Sequence, residues 1–106
     1  TMAPPHPKLT RWQYRDWRRL QTNTYPNIHT LSKIHPSQYD DCCPWCGDTP
    51  TLKHITWHCK QRPSPLVTRN ELERSWEARL ARQDLGSQRA TLDQAERAAR
   101  ASGALE

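Results

Sequence analysis

The stretch CPWCGDTPTLKHITWHC, residues 43–59, decides how this chain folds. Three thiolates and one imidazole complete a tetrahedral zinc shell and leave no position for water, which is typical of structural rather than catalytic zinc. Pro44 stiffens the first turn, and Gly47 can adopt the positive φ that points backbone N–H groups at thiolate sulfur. We therefore predict Zn2+ as a cofactor, bound in a CCHC zinc knuckle over residues 41–60. Its ligands follow the pattern C-x2-C-x7-H-x4-C and are Cys43, Cys46, His54 and Cys59.

Cys42 lies directly before Cys43, and His58 lies directly before Cys59, so each end of this motif offers a second possible ligand. His54 and His58 would share one face of an α-helix, which permits a Cys2His2 site. The seven residues between knuckle and first histidine are few for such a zinc finger, which has about twelve. A further alternative is two disulfides, but Cys42 and Cys43 are adjacent and no secretory segment is visible. The spacing favours zinc, with the spare residues as neighbours.

Size and composition limit what this chain can build. It has 106 residues, of which 34% are hydrophobic, with five Trp and no Phe. Such a chain cannot bury a large core, so the metal should account for part of its folding. No apolar run is long enough to span a membrane and no signal region is visible, so we expect no membrane partner and an intracellular setting, nucleus or cytoplasm. We predict a mostly α, small zinc-stapled domain with short helices around the knuckle.

The N-terminal part is predicted to hold two basic helices within residues 8–40. Before them, residues 1–7 contain three prolines and are expected to be disordered. The first helix covers residues 8–22 with Thr10 as its N-cap. Its apolar residues approximate one face: Leu9, Trp12, Trp17 and Leu20.

A break at Asn23, which tolerates left-handed geometry, separates the second helix from the first. Asn27 can cap that helix, which is predicted over residues 28–35. Three apolar residues spaced three apart form a stripe expected in the core: Ile28, Leu31 and Ile34.

The C-terminal part is predicted to be a helical hairpin over residues 68–106, after a proline-rich connector at residues 61–67. Thr68 and Glu71 form a capping box that opens a helix reaching about residue 83. One face of this helix is apolar and consists of Leu72, Trp76 and Leu80.

The second helix of the hairpin is expected to follow a break at Gly86 and Ser87. It is predicted from about residue 88 to residue 101 and ends at Gly103. Because it is rich in alanine, it is expected to be weak unless it packs on its neighbour.

Basic residues are concentrated before residue 61, where the formal net charge is +4, against +1 for the rest. Basic residues beside aromatic ones, as with Trp12, Tyr14 and Trp17 in the first helix, can bind single strands by charge and base stacking. The alternative is a helix with tryptophan packed inward and arginine solvated. The expected phosphate contacts are Arg11, Arg15, Arg18, Arg19, Lys53 and Lys60. Trp45 and Trp57 are the expected stacking residues, although they can equally close the core over the zinc.

Two motifs resemble the C-terminal tail of non-LTR retrotransposon polyproteins of the tick-transposon type, the region after the reverse transcriptase and, where present, the ribonuclease H. The first is WRRLQTNTYPN at residues 17–27, and the second combines CPWCG at residues 43–47 with TLKHITWHC at residues 51–59. The family has an Arg-Leu-Arg-Thr-Gly segment before its knuckle, where this chain has Gln21 for the second Arg and Asn23 for the Gly.

The similarity covers residues 8–106, and residues 101–106 are similar to the end of such an open reading frame. The resemblance implies the same four zinc ligands. It also implies a role in binding template RNA or target DNA, beside the polymerase part of a parent polyprotein.

We therefore predict a retrotransposon-derived zinc knuckle that binds RNA or single-stranded DNA, takes no small-molecule substrate and is not an enzyme. Asp40 and Asp41 lack the flanking hairpin of a polymerase site, and the zinc ligand set is closed. The alternative is a structural or protein-interaction tail in which zinc only stabilises folding and the apolar face with Trp76 docks on a partner. A third, a secreted disulfide-bonded effector, would contain no free thiols.

Overall fold

The computed structural model describes residues 2–63 and 76–105. Within these ranges the chain is mostly helical and contains no strand. The predicted fold class, a small mostly α domain with short helices around a Cys/Cys/His/Cys group, is confirmed. Its elements are α1 (Arg11–Gln21), α2 (Ile28–Ile34), a π-helical turn (His54–His58), α3 (Trp76–Leu80) and α4 (Leu85–Ser102). The predicted capping box at Thr68 and Glu71, together with Leu72, lies outside the described residues.

Helix α1 begins at the predicted cap. The Thr10 hydroxyl accepts from the backbone N–H of Gln13, and the Gln13 side chain accepts from the backbone N–H of Thr10, which is a capping box. Trp17 and Leu20 are fully buried, whereas Trp12 is 58% exposed. Trp12 lies about 140° from Trp17 around a helix of 3.6 residues per turn. The core-facing side of α1 therefore does not include Trp12, in contrast to the prediction.

Helix α2 also begins at its predicted cap, because the Asn27 side chain accepts from the backbone N–H of Thr30 at 3.0 Å. Asn23, at φ 60, makes the predicted left-handed break before it. The predicted core stripe is only partly buried. Ile28 and Ser32 are buried and Leu31 packs partly against the core, but Ile34 is 62% exposed, because it faces away from the side of this short helix that meets the domain.

The N-terminal segment is anchored, in contrast to the predicted disorder of residues 1–7. Ala3 is buried, its N–H donates to the carbonyl of Leu80, and its carbonyl accepts from the side chains of Trp17 and Gln21. Gln88 bonds the same segment at the backbone of His6 and Pro4. Hydrogen bonds to residues distant in sequence therefore hold a segment that has no secondary structure of its own.

Helix α4 begins three residues earlier than predicted. The Asp84 carboxylate accepts from the backbone N–H of Ser87 at 3.0 Å, so Gly86 and Ser87 lie in the first turn and do not break the helix. Gly103 ends the helix, as predicted, and adopts the left-handed conformation at φ 92. A strong N-cap outweighs the low helix propensity of one glycine.

The core forms around α4, against which α1, α3 and the π turn all pack. Two small side chains of α4, Ala95 and Ala99, are buried in the same core cluster as Trp17 and Leu20 of α1. Trp76 and Leu80 of α3 are also buried in this core. Two residues of the face that was predicted to dock on a partner, Trp76 and Leu80, are therefore covered by the domain itself, and Leu72 of that face lies outside the described residues.

Candidate metal centre

The loop that carries the first two cysteines is a tight knuckle closed by backbone hydrogen bonds. The N–H of Gly47 donates to the carbonyl of Cys43 at 2.9 Å, and the N–H of Cys43 donates to the carbonyl of Asp48 at 2.6 Å. Gly47 has the predicted positive φ, 85°. The N–H of Trp45 points at the Cys43 sulfur from 3.5 Å, as expected for a loop that stabilises a thiolate.

The other two candidate ligands come from the π turn. The N–H of Cys59 donates to the carbonyl of His54 at 2.8 Å, which is the five-residue hydrogen bond that defines π geometry. This wider turn brings the residue five positions on, rather than four, back beside His54. Cys59 itself has extended backbone angles and lies at the helix end, as predicted.

The four predicted ligands meet at one point. Their donor atoms all lie within 4.8 Å of one another. The sulfur atoms of Cys43 and Cys59 are 3.8 Å apart, and the Cys46 sulfur lies 3.2 Å from His54 Nε2. Metal–sulfur bonds of about 2.3 Å in a tetrahedron place two sulfurs about 3.8 Å apart. Cys43, Cys46, His54 and Cys59 can therefore bind a metal ion.

The alternative ligands are not part of this group. Cys42 is exposed and lies outside the cluster, and His58 is exposed as well. All four cysteines of the chain are free thiols, so the alternative of two disulfides does not describe this structure. Cys43 and Cys59 are buried against Ile55 and Ala98. They therefore face inward, whereas Cys42 and His58, the residues directly before them, do not.

Crowding by the neighbouring thiols disfavours the thiolate form of Cys46 in the absence of a cation. A backbone hydrogen bond from Asp48 lowers the pKa of Cys46, but desolvation and the thiols of Cys59 and Cys43 raise it, with a net pKa of about 11. A bound cation reverses this balance, because coordination deprotonates a thiol outright. The cluster therefore suits a metal ion better than it suits free thiolates.

A second layer of contacts, which no sequence pattern indicated, holds the π turn. Arg62 donates to the carbonyls of Cys59 and Thr56, and the Gln94 side chain donates to the same Thr56 carbonyl at 2.7 Å. Burial lowers the pKa of Arg62, while the Cys59 thiolate opposes that shift. In the sequence, the only indication of this role for Arg62 is its position three residues after the last ligand, which is a weak signal. Gln94 gives no such indication, because it lies far along the chain in α4.

The predicted nucleic-acid-binding residues fall into two groups. Four arginines lie together on α1: Arg11, Arg15, Arg18 and Arg19. The other four lie within residues 45–60, in the knuckle loop and in or beside the π turn. Trp57 is half-buried against Trp76, with ring centroids 6.2 Å apart, and Trp45 packs against the cysteine cluster. Lys53 pairs with Glu77 at 3.0 Å, and Lys60 is exposed.

The fold and the site define a small helical domain with a candidate Cys3His metal centre. No protein-family model, curated protein or solved structure matches the chain. Among the helices in residues 2–63 and 76–105, none has the length and apolar character needed to cross a bilayer.

Proposed function

We propose that this chain is a retrotransposon-derived zinc knuckle that binds RNA or single-stranded DNA. The observation that carries the proposal is the exposed face of α1, where arginines lie beside solvent-exposed aromatic rings. Arginine supplies the phosphate attraction and aromatic rings supply sequence-tolerant stacking, the two components of single-strand binding. The retrotransposon origin is supported by the two sequence motifs at residues 17–27 and 43–59.

Zinc is the metal that this donor set fits best. Three sulfurs and one imidazole nitrogen are soft and borderline ligands, and closed tetrahedral sites of this composition are typical of structural zinc. Zinc would supply the cross-link between the knuckle and the π turn. The chain's own residues do the rest: Gly47 shapes the loop, and Arg62 holds the carbonyls beside Cys59.

In the alternative function, zinc only stabilises folding and the chain is a structural tail. Trp76 and Leu80, two residues of the docking face that this alternative invoked, are buried within the domain, which argues against docking through these two side chains. We therefore treat the structural tail as the conclusion to be drawn if the binding experiment below finds no binding, and not as a second proposed function.

The test is fluorescence anisotropy with short single-stranded RNA and DNA, at low and near-physiological salt. We expect zinc-loaded protein to bind, the affinity to fall steeply with salt, and chelator treatment to abolish binding because the domain loses its cross-link. No binding by zinc-loaded protein with native circular dichroism would overturn the proposal and leave zinc as a folding element alone.

A further inference from the structure

The exposed side of α1 has a regular arrangement of charge and aromatic surface. Arg11, Arg15 and Arg18 are spaced i, i+4, i+7, so their side chains form one stripe along the helix. Trp12 flanks this stripe on one side and Tyr14 on the other, and both are about half exposed or more. We call these five residues the α1 outer face.

The α1 outer face is held outward by the core. Trp17 and Leu20 lie on the opposite side of the helix and are fully buried against α4. Trp12 and Tyr14 therefore cannot turn inward without breaking that packing. Their exposure is imposed by the fold.

Guanidinium groups already occupy the aromatic rings. The Cζ atoms of Arg11 and Arg15 each lie 4.9 Å from the centroid of Trp12, and that of Arg18 lies 6.0 Å from Tyr14. These are cation–π distances. A ring that attracts two guanidinium groups and stays 58% exposed can also stack with a planar base once a guanidinium moves aside.

Part of the positive charge on this face is available to a ligand. Asp16 pairs with Arg15 and with Arg19, each at 3.0 Å. Arg11 and Arg18 form no ion pair with any residue in the described parts of the chain. The face is therefore complementary to a phosphate backbone.

We infer that the α1 outer face is the single-strand binding site, with Trp12 as the main base-stacking residue. The inference rests on the proposed function. It assigns base stacking to α1, whereas the sequence pattern predicted stacking on Trp45 and Trp57. A base that stacks on Trp12 displaces a guanidinium, which then pairs with the adjacent phosphate, so the lost cation–π contact is replaced. Duplex bases are not free to stack on a side chain, so single strands are preferred.

The metal centre lies elsewhere and acts through the fold. It packs against Ala98 of α4, whereas the buried residues of α1 belong to the separate core cluster that contains Leu92, Ala95 and Ala99 of the same helix. Zinc should therefore be needed to keep α4 in place, and the side chains around it should contribute little to the contact with nucleic acid.

The first experiment is the affinity of Trp12→Ala for a single-stranded oligonucleotide, measured on zinc-loaded protein. We expect about a tenfold loss or more, and Trp12→Phe should recover most of it. Ile34→Ala, which removes a side chain of similar exposure from α2, is the matched control and should bind normally. Circular dichroism and zinc content should be native for all three, because the sites are exposed.

The second experiment is the salt dependence of Arg11→Ala/Arg18→Ala. Loss of two phosphate contacts should make the slope of log affinity against log salt shallower by about 1.4. Arg89→Ala/Arg97→Ala removes the same charge from exposed positions of α4 and should leave the slope unchanged.

The outcomes separate the inference from the proposed function. Normal binding by Trp12→Ala together with weak binding by Trp45→Ala or Trp57→Ala would overturn the inference and leave the function in place. Duplex bound as tightly as single strand would overturn the stacking role of Trp12. Absence of any nucleic-acid binding by wild type, with or without binding to vesicles of anionic lipid, would overturn both.

Discussion

The backbone N–H of Cys59 donates to the carbonyl oxygen of His54 at 2.8 Å, across five residues rather than four. This π-type hydrogen bond decides which side chains face the metal centre. In an α-helical turn His58 would lie beside His54, whereas here Cys59 completes the cluster and His58 is exposed. The geometry of one turn therefore separates a Cys3His site from a Cys2His2 site.

Substitution of the two histidines should have very different effects. We expect His54→Ala to lower zinc affinity by at least a hundredfold, because it removes one of four ligands. His58→Ala should leave zinc affinity unchanged. Competition with a chromophoric chelator measures both, and equal effects of the two substitutions would contradict the π-turn assignment.

Metal removal should destabilise the whole domain and not only the knuckle, because Cys43 and Cys59 pack against Ala98 of the central helix α4. We expect chelation, or Cys46→Ser, to lower Tm by about 10 °C or more. Cys42→Ser is the control and should melt like wild type, since Cys42 is exposed and outside the cluster. Thermal melts followed by circular dichroism test this, and a chelated protein with the native Tm would show that the centre is not structural.

Arg62 should tune metal affinity through the π turn. Its bonds to the carbonyls of Cys59 and Thr56 hold a ligand in place, and loss of such outer contacts typically costs about 10- to 100-fold in metal affinity. We expect Arg62→Ala to fall in this range. Lys60→Ala removes the same charge nearby without those bonds and should have a much smaller effect; equal losses would indicate a purely electrostatic role.

The N-cap of α4 should make stability depend on acid pH. Hydrogen bonds from the side chain and backbone of Ser87 lower the pKa of Asp84 from 3.8 to about 2. Because the folded-state pKa is depressed, this contribution is present above about pH 4 and is lost as pH falls toward 2. The Tm of wild type should thus exceed that of Asp84→Asn at neutral pH, and the difference should shrink below pH 4. The quantity to measure is the difference in Tm between the two proteins, since zinc release at low pH lowers the Tm of both. A Tm difference that stays constant with pH would contradict the lowered pKa of Asp84.

Trp17 should be a major source of stability. Its indole N–H donates to the carbonyl of Ala3 at 2.9 Å, and its ring is fully buried. We expect Trp17→Phe to lower the free energy of unfolding by about 2 kcal/mol, from a lost hydrogen bond and incomplete packing. Trp12→Phe, on the exposed side of the same helix, should change it by less than about 0.5 kcal/mol. Urea denaturation distinguishes the two.

Local features of this protein could be predicted from its sequence, because they depend on a few neighbouring residues. Thr10 and Asn27 cap their helices, Gly47 adopts a positive φ, α4 ends at Gly103, and the spacing of the ligand residues identifies the group that can bind a metal ion. Each is a short-range steric or hydrogen-bonding preference that the rest of the fold does not oppose.

Other features were decided only by tertiary structure. Whether a tryptophan is exposed, as Trp12 is, or buried, as Trp17 and Trp76 are, depends on where α4 lies. The same is true of the support that Gln94 gives to the π turn and of the anchoring of Ala3 by Leu80 and Trp17. These contacts join residues far apart in the chain, and in a domain with so few large apolar residues the position of a single helix determines which of them are covered.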